Sequence, residues 1–529
     1  LIEVVMSQAE VLIVGAGPSG LAMAIELLRF GISFRLIDRA MQPAQWSQAL
    51  VVHARTLEQF ERYGIAYEAV STGRPIYAAD IFSQQRQILH IPFGEIPSNY
   101  PYVLMLGQND TERILNAHLE QLGGFVERGY ELLGFQLIPQ GVTATIKTPD
   151  GQEETQRFRW IVGCDGARSR VRSLLNQPFR GGRLAHNFFL GDVELQSNDF
   201  PQDRLRVYLD HGHVLFMTRL AGQQYRLIMS LPPNQHPELQ NYNQPLNIED
   251  FQRLSELISG RSLGIHKLTW SSFFPVHYRQ VDSYCFGNAF LVGDAAHIHS
   301  PLAGQGMNTG LQDAANLAWK LAAVYHGAPE HILTSYTDER HEVGKQVVQR
   351  TTQGMNIGLS QNPLIIALRD TFAPYVTRIR PIRRILLGFV SETAINYRKS
   401  KIVRDCGGAS AYKAGDRLSD IELLDEQGKT TQLHKLCAAP RHHIIAIDYT
   451  DYEFQQLRLH GTRARFIRLS THNNPQLAKT YGNHGKAIVY CVRPDGYIGF
   501  RGTPSDLPEL FNYLKQTGNL IYTISSARS

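Results

Sequence analysis

Nothing in this chain pairs its cysteines. The five, Cys164, Cys285, Cys406, Cys437 and Cys491, are scattered over 529 residues without a C-x-x-C. An odd, dispersed set argues against a disulfide framework and against dithiol chemistry, and fits reduced thiols in a cytoplasmic setting. No apolar run approaches the ~20 residues needed to cross a bilayer. The apolar residues 1–5 are too short for a signal peptide, and Met6 reads as the natural start. Charge of one sign is scarce as well. Lys and Arg number 53 against 48 Asp and Glu, a net of +5. That balance is too mild and too dispersed for a nucleic-acid partner, and no motif of that kind accompanies it. No His or Cys pair stands at ligand spacing beside a carboxylate, so no metal is expected.

What is present is a large globular chain. With 43% hydrophobic and 19% charged residues it can bury a sizeable core. Its length suits roughly three domains.

Three motifs carry chemistry. Residues 10–14 read as a buried parallel strand. Gly15, Gly17 and Gly20 follow in Gly-Ala-Gly-Pro-Ser-Gly, then a helical run over 21–30 and a second apolar strand, 33–37, ending at Asp38. This is the dinucleotide fingerprint in its required context. Gly15 permits the turn, Gly17 lets a pyrophosphate approach the backbone, and Gly20 lets the helix pack on the strand. Asp38 is placed to accept from a ribose. The second motif spans residues 159–169, a strand leading to Asp165-Gly166 and a helix start with Arg168, Arg170 and Arg172. Alone it reads equally as a strand-to-helix turn with a Ser cap and solvated arginines. The third spans 293–308. A strand ends at Asp294, a Gly-rich loop follows with His297, His299, Pro301 and Ala303, and a helix begins at Gly304, Gly306, Met307 and Asn308. An acid and bare amides before a positive helix end suit a polyhydroxy chain joined to a ring that becomes an anion.

Together these motifs resemble the FAD-dependent aromatic hydroxylases, the single-component flavoprotein monooxygenases of the phenol hydroxylase, polyketide and rifampicin hydroxylase branch. The resemblance runs from Val11 to the C-terminus. It implies an α/β chain with a Rossmann-like FAD-binding domain formed by residues 6–180 and 281–400. An antiparallel-sheet substrate domain over 181–280 and a C-terminal thioredoxin-like domain over 405–529, without C-x-x-C, complete it. It implies that Gly15, Gly17, Gly20 and Asp38 hold the ADP half of FAD and that Asp165 braces the pyrophosphate region. Asp294 would bond the ribityl chain, while Gly304, Gly306, Met307 and Asn308 lie against the ring. Gln108 and Arg113 resemble flavin-contacting residues, and Pro301 and Ala303 mark the substrate side. Gln48 stands where the family usually has an Arg near the FAD phosphates, before His53-Ala54-Arg55-Thr56.

The activity implied is hydroxylation of a phenolic or polyketide-like aromatic, with NADPH or NADH reducing FAD and O2 reacting through a flavin hydroperoxide. No second G-x-G-x-x-G stands in a strand–helix context, so the nicotinamide is expected to bind transiently. A homodimer is the expected assembly. A flavin dehydrogenase or a non-catalytic FAD-binding protein of the same fold is the alternative. A flavin halogenase is disfavoured because Trp46, Trp160, Trp270 and Trp319 form no W-x-W. The catalytic base stays open among His297, His299, His211, His213 and Tyr225.

Further expectations are local. Strands are expected within 188–193, 214–217 and 226–229, with Trp270, Phe273, Phe274 and Tyr278 as core or pocket wall. A basic helical stretch over 362–397 reads as a solvated face with an apolar side turned to the core, or as an amphipathic helix resting on a membrane surface. Pro494-Asp495-Gly496 signals a hairpin.

Overall fold

The computed structural model describes residues 9–43, 49–196, 200–220, 222–232, 246–299, 304–407, 410–425, 427–459 and 462–518. Gln48, Pro301 and Ala303 lie outside them. The class is mixed α/β, as the resemblance implies.

Val11–Val14 offers no polar side chain to either face, so it forms a strand buried on both. It pairs in parallel with Phe34–Asp38 on one side and Trp160–Gly163 on the other. Ala289–Leu291 continues the parallel order beside Trp160–Gly163. Glu127–Arg128 and Cys285–Phe286 close the edges of this six-stranded sheet. Because these four central strands run parallel, their C-terminal ends share one edge. Asp38 ends one of these strands, and Gly15, Asp165 and Asp294 follow the ends of the other three. A crevice outside the carboxyl ends of parallel strands is where open α/β sheets bind ligands. Two helices cover the sheet here, Pro18–Arg29 and Gln305–Tyr325, and they pack on each other.

The second sheet has eight strands. Arg180–Leu195, with its partners Ile265–Gln280 and Gln224–Leu231, forms its centre. His213–Arg219 and Arg204–Asp210 extend it antiparallel, and Ala78–Ser83 then adds in parallel, with Arg86–Pro92 at the edge. Two of its strands therefore come from residues 78–92, well before 181. The expected strands around 188, 214 and 226 are all in it. Its faces differ as period-2 alternation requires. Phe189, Tyr225, Leu227 and Met229 pack towards the Ile248–Ser259 helix. Phe188, Phe216, Ile228 and Phe274 pack towards Met355 of the Thr334–Gly358 helix.

A third sheet of five strands lies in the C-terminal region, ordered Arg404–Asp405, Ile498–Gly502, Ile488–Val492, His443–Ile447, Arg465–Leu469. The hairpin expected at Pro494 forms: Gly496 N–H donates to the Arg493 carbonyl at 2.9 Å, and the flanking strands pair antiparallel. Its tip is driven into the rest of the molecule. The fully buried Arg493 guanidinium donates to both carboxylate oxygens of Glu339, at 2.7 and 2.9 Å. Lys320 reaches the same carboxylate at 2.8 Å, and Trp319 donates to Asp495 at 3.2 Å.

The single helix expected over 362–397 is two, Pro363–Val376 and Arg380–Val390. Pro381 takes an early position in the second, where its missing N–H costs nothing. The expectation of an apolar side turned to the core fails for the first helix. None of its residues is buried, and Leu364, Leu368 and Phe372 are exposed.

Candidate functional site

The three motifs meet. Gly15 has φ of +100°, in the region only glycine adopts freely, and a Cβ there would lie 2.5 Å from the carbonyl oxygen of Cys164. The fingerprint turn and the Cys-Asp-Gly turn thus touch backbone to backbone. Gly20 is closed in the same way, because its Cβ would stand 1.9 Å from the Gly15 carbonyl. Gly17 is the opposite case: nothing lies within 4 Å of its missing side chain. The turn is walled on the protein side and open outward, above the start of the Pro18–Arg29 helix.

Ser19 links this turn to the third motif. A Cβ on Gly293 would meet Ser19 Oγ at 2.6 Å, and one on Gly310 would meet it at 2.4 Å. The start of the first covering helix therefore packs against the second turn of the other, beside Gly293.

Asp294 itself is exposed, yet the enclosing protein raises its carboxyl above the ordinary range. Burial is the main cause, Asp313 adds to it and His297 opposes it. Asp294 is thus accessible yet desolvated. Its carboxylate accepts no hydrogen bond among the described residues. Across from it is Gly306, whose missing side chain would lie 4.0 Å from Asp294 Oδ1 and 3.8 Å from His299 Nε2. A bare backbone thus faces an acid with spare accepting capacity.

The other expected residues are placed as follows. Asp38 Oδ2 accepts from Ala16 N–H at 2.7 Å and Oδ1 from Ala40 N–H at 2.8 Å, so it fixes the turn and stays partly exposed. Asp165 is occupied with its own loop: it accepts from Ser169 Oγ and from the N–H groups of Arg170 and Val171. Ser169 caps the short Arg170–Leu174 helix, as expected. Gly304 has φ of +61°, and a Cβ there would strike Val51. Met307 is partly buried against the main core. Asn308 is a clamp. Its Oδ1 accepts from His53 N–H at 2.9 Å, and its Nδ2 donates to the carbonyls of Val51 and Gly304 at 2.8 and 2.7 Å. Its amide is spent on holding the helix start against the Val51–Val52 strand.

Gln108 bridges Ala49 N–H and Glu112 at the start of the Gln108–Gln121 helix. Arg113 lies further along the same helix. It is 54% exposed and pairs with Glu68 at 3.4 Å and Asp110 at 3.6 Å. Arg55 points elsewhere, donating to the Asp495 carbonyl in the C-terminal region.

Several residues were not legible as site residues. Arg172 is one: it is buried rather than solvated, and it donates to the Ala295 carbonyl at 2.9 Å and the Ala167 carbonyl at 2.7 Å. One side chain thereby ties the Asp165 loop to the Asp294 loop. Asp313 is another. It is fully buried, with Oδ1 accepting from Arg340 Nε at 2.5 Å and Oδ2 within 2.8 Å of His297 Nε2. Gly293 N–H also donates to Oδ2. Burial would raise this carboxyl, but Arg340 and His297 outweigh burial and lower it. His297 is therefore a structural partner beneath the loop. The His297–Ile298 strand in turn pairs with Arg279 and Gln280, which joins the loop to the eight-stranded sheet.

Of the other base candidates, His211 is exposed and lies 2.9 Å from Asp210. His213 lies 3.0 Å from the Asp210 carbonyl, and Tyr225 sits in the core beside Phe200. His299 stacks on His297 with ring centroids 6.4 Å apart and is the histidine facing Gly306.

The comparisons with known proteins agree with this geometry. A family model described as FAD binding domain matches residues 8–351. The chain is 35% identical over 527 residues to the 6-methylpretetramide 4-monooxygenase of Streptomyces rimosus, covering 94% of this chain and 91% of that protein. It is 31% identical over 526 residues to the pentachlorophenol 4-monooxygenase of Sphingobium chlorophenolicum, covering 94% of each. The solved anhydrotetracycline hydroxylase OxyS from Streptomyces rimosus superposes with a TM-score of 0.79 at 26% identity, over 97% of this chain and all of that one. The open turn at Gly17, the bare helix start at Gly306 and the unengaged carboxylate of Asp294 fit a dinucleotide joined to a polyhydroxy chain. The chain belongs to the FAD-binding family of aromatic monooxygenases, and FAD is its cofactor.

Proposed function

We propose that this protein hydroxylates a phenolic or polyketide-like aromatic compound, using NADPH or NADH as reductant and O2 as the oxygen source. The observation that carries the reading is Asp294, a desolvated acid facing the bare turn of a helix N-terminus, on the framework of relatives named for such reactions. Bound FAD supplies the hydride acceptor and the centre that activates oxygen.

The chain's own residues do the rest. Gly15, Gly17 and Gly20 let the pyrophosphate lie on the first helix N-terminus, and Asp38 accepts from the adenosine ribose. Asp165 and Arg172 keep the neighbouring loop in place. Asp294 accepts from a ribityl hydroxyl. Gly304, Gly306 and Met307 form the surface beside the ring, where the helix end offsets negative charge that develops on it. Asn308 holds that surface still. Gln108 borders the same surface. Pro301 and Ala303 are assigned to the substrate side. Arg113, which pairs with Glu68 and Asp110, is assigned to the same set as a cofactor contact.

We divide the chain into an FAD-binding domain (6–180 and 281–400), a substrate-binding sheet (181–280) and a thioredoxin-like domain (405–529). The sheet is joined by strands Ala78–Ser83 and Arg86–Pro92. The mixed five-stranded C-terminal sheet supports the last assignment. Among the described residues no helix is long and apolar enough to cross a membrane. Five unpaired thiols suit a cytoplasmic setting. A homodimer completes the reading, and sedimentation velocity measures it.

The test supplies FAD-loaded protein with NADPH or NADH, 18O2 and a panel of phenols, quinones and fused-ring aromatics. One labelled oxygen in a product is the expected result. Bound FAD with substrate-stimulated NAD(P)H oxidation but no labelled product would overturn hydroxylation in favour of a dehydrogenase. Bound FAD with no stimulation at all would favour a non-catalytic protein.

A further inference from the structure

The Ala54–Tyr63 helix lies along the seam with the C-terminal region. Arg55 and Arg62 donate to the carbonyls of Asp495 and Pro494, and Glu58 pairs with Arg417 at 2.6 Å. One group on this seam is left unbalanced. Glu61 Oε2 is buried and has no hydrogen-bond partner. The carboxylates of Asp420 and Glu58, the imidazole of His434, the ammonium of Lys435 and the Tyr100 hydroxyl, which hydrogen-bonds Glu61, all face this carboxylate.

Asp420 and His434 complete a cluster. One ligand-competent atom from each of Glu61, Asp420 and His434 lies within 4.8 Å of the others. The side chains of His434 and Asp420 are 9% and 1% exposed. His434 Nε2 stands 2.8 Å from the Leu418 carbonyl and so donates to it, which leaves Nδ1 as the ring nitrogen turned to the cluster. That outer hydrogen bond to a carbonyl is how metal-binding histidines are held. Asp420 is held in the same manner. Its Oδ1 accepts from the N–H groups of Ile421 and His434, and Oδ2 is turned to the cluster, where Asn99 also touches it.

Nδ1 and Asp420 Oδ2 are 3.9 Å apart. An imidazolium paired with a carboxylate would close to about 2.8 Å. Two ligands of a tetrahedral ion with bonds of about 2.1 Å stand roughly 3.4 Å apart. The observed spacing is too long for a hydrogen-bonded ion pair and about half an ångström wider than a shared tetrahedral ion would set, so a bound cation would draw the two groups slightly together. One imidazole nitrogen and two carboxylates suit a borderline divalent transition metal better than calcium or magnesium.

We propose that Glu61, Asp420 and His434 bind one zinc ion, which staples the Ala54–Tyr63 helix to the C-terminal region. The sequence could not show this site. Glu61 and Asp420 are far apart in the chain, and the cysteine at ligand spacing from the histidine, Cys437, is not a member of the cluster.

The test uses the FAD-loaded full chain, stripped of metal by chelator dialysis and titrated calorimetrically with Zn2+, Mn2+ and Mg2+. Elemental analysis gives the stoichiometry, and flavin absorbance reports the intact fold. One equivalent of zinc is expected, with affinity at least tenfold weaker in Glu61→Gln and in His434→Asn. No zinc uptake by the wild type overturns the proposal, as does unchanged affinity in both variants. Uptake of Mn2+ alone overturns the assignment to zinc. Should His434→Asn fail to retain FAD, the isosteric Glu61→Gln variant decides alone.

Discussion

The carboxylate of Asp313 holds the guanidinium of Arg340 at 2.5 Å on one oxygen and the imidazole of His297 at 2.8 Å on the other, with all three side chains fully buried. The pair joins two helices to the loop that carries Asp294. Arg340 extends the connection, donating to Tyr397 Oη at 2.9 Å and to the Thr309 carbonyl at 3.0 Å.

Removing one partner leaves the other charge buried and alone. Asp313→Ala should therefore lower stability by about 3–5 kcal/mol. The measurement is urea denaturation of the FAD-loaded protein. The pH dependence has a definite sign. Asp313 is lowered in the fold, so its contribution is complete above the ordinary Asp range. It is lost as the pH falls below that range. Wild-type stability should drop more steeply below about pH 4 than that of Asp313→Asn. Equal slopes would mean that Asp313 is not the group responsible.

Glu392 behaves in the reverse direction. Burial is the main cause pushing its carboxyl up to about 8, against opposition from Arg340, Thr309 and Gln312. It sits against the Gln305–Tyr325 helix, where Gln312 donates to it at 2.5 Å. A carboxyl raised in the fold contributes fully below its unfolded value, and that contribution is lost as the pH climbs through the folded one. Glu392→Gln keeps the shape without the ionisation. It should match the wild type near pH 4.5 and exceed it by on the order of 2 kcal/mol at pH 7 to 8. Thermal melts at the two pH values give the comparison; a variant less stable at pH 8 would contradict the assignment.

Two glycines of one motif should fail differently. Gly20→Ala drives a Cβ to 1.9 Å from the Gly15 carbonyl, a backbone atom that cannot step aside. Loss of folded protein is expected. Gly17 has φ of −75°, which alanine adopts freely, and its side-chain direction is open. Gly17→Ala should therefore melt like the wild-type apoprotein and bind FAD at least tenfold more weakly, because the methyl fills the space reserved for pyrophosphate. Fluorescence titration of apoprotein with FAD separates the two outcomes.

Much of this was legible in the sequence because it is written in short-range patterns. Val11–Val14, the glycine turn and Phe34–Asp38 follow from local apolar runs and backbone requirements. The same logic found the strand before Asp294 and the hairpin at Pro494. What stayed hidden depends on long-range packing. Arg172 looks like any arginine of a helix start until Ala295, more than a hundred residues later, supplies its acceptor. Asp313 and Arg340 lie on helical faces whose burial only the fold decides. The side-chain amide of Asn308 is taken up by Val51, His53 and Gly304, which no local pattern specifies. The Pro363–Val376 helix failed for the opposite reason: its periodicity promised a covered face that the described residues do not provide.

Asp294 and Arg172 give the last contrast. Asp294 makes no hydrogen bond to the described chain, so Asp294→Ala should fold and melt as the apoprotein does. Its loss should appear only in FAD content, read as the ratio of flavin to protein absorbance after gel filtration. Arg172 touches no open space of that kind. It holds two loops together through carbonyl acceptors, and its removal leaves the Ala295 and Ala167 carbonyls to find water. Arg172→Ala should weaken FAD binding and also lower the stability of the apoprotein, by about 1–3 kcal/mol. If Asp294→Ala keeps full FAD occupancy, the carboxylate is not a cofactor ligand and the groove belongs to something else. If Arg172→Ala leaves the apoprotein unchanged, the two loops are held by the sheet alone.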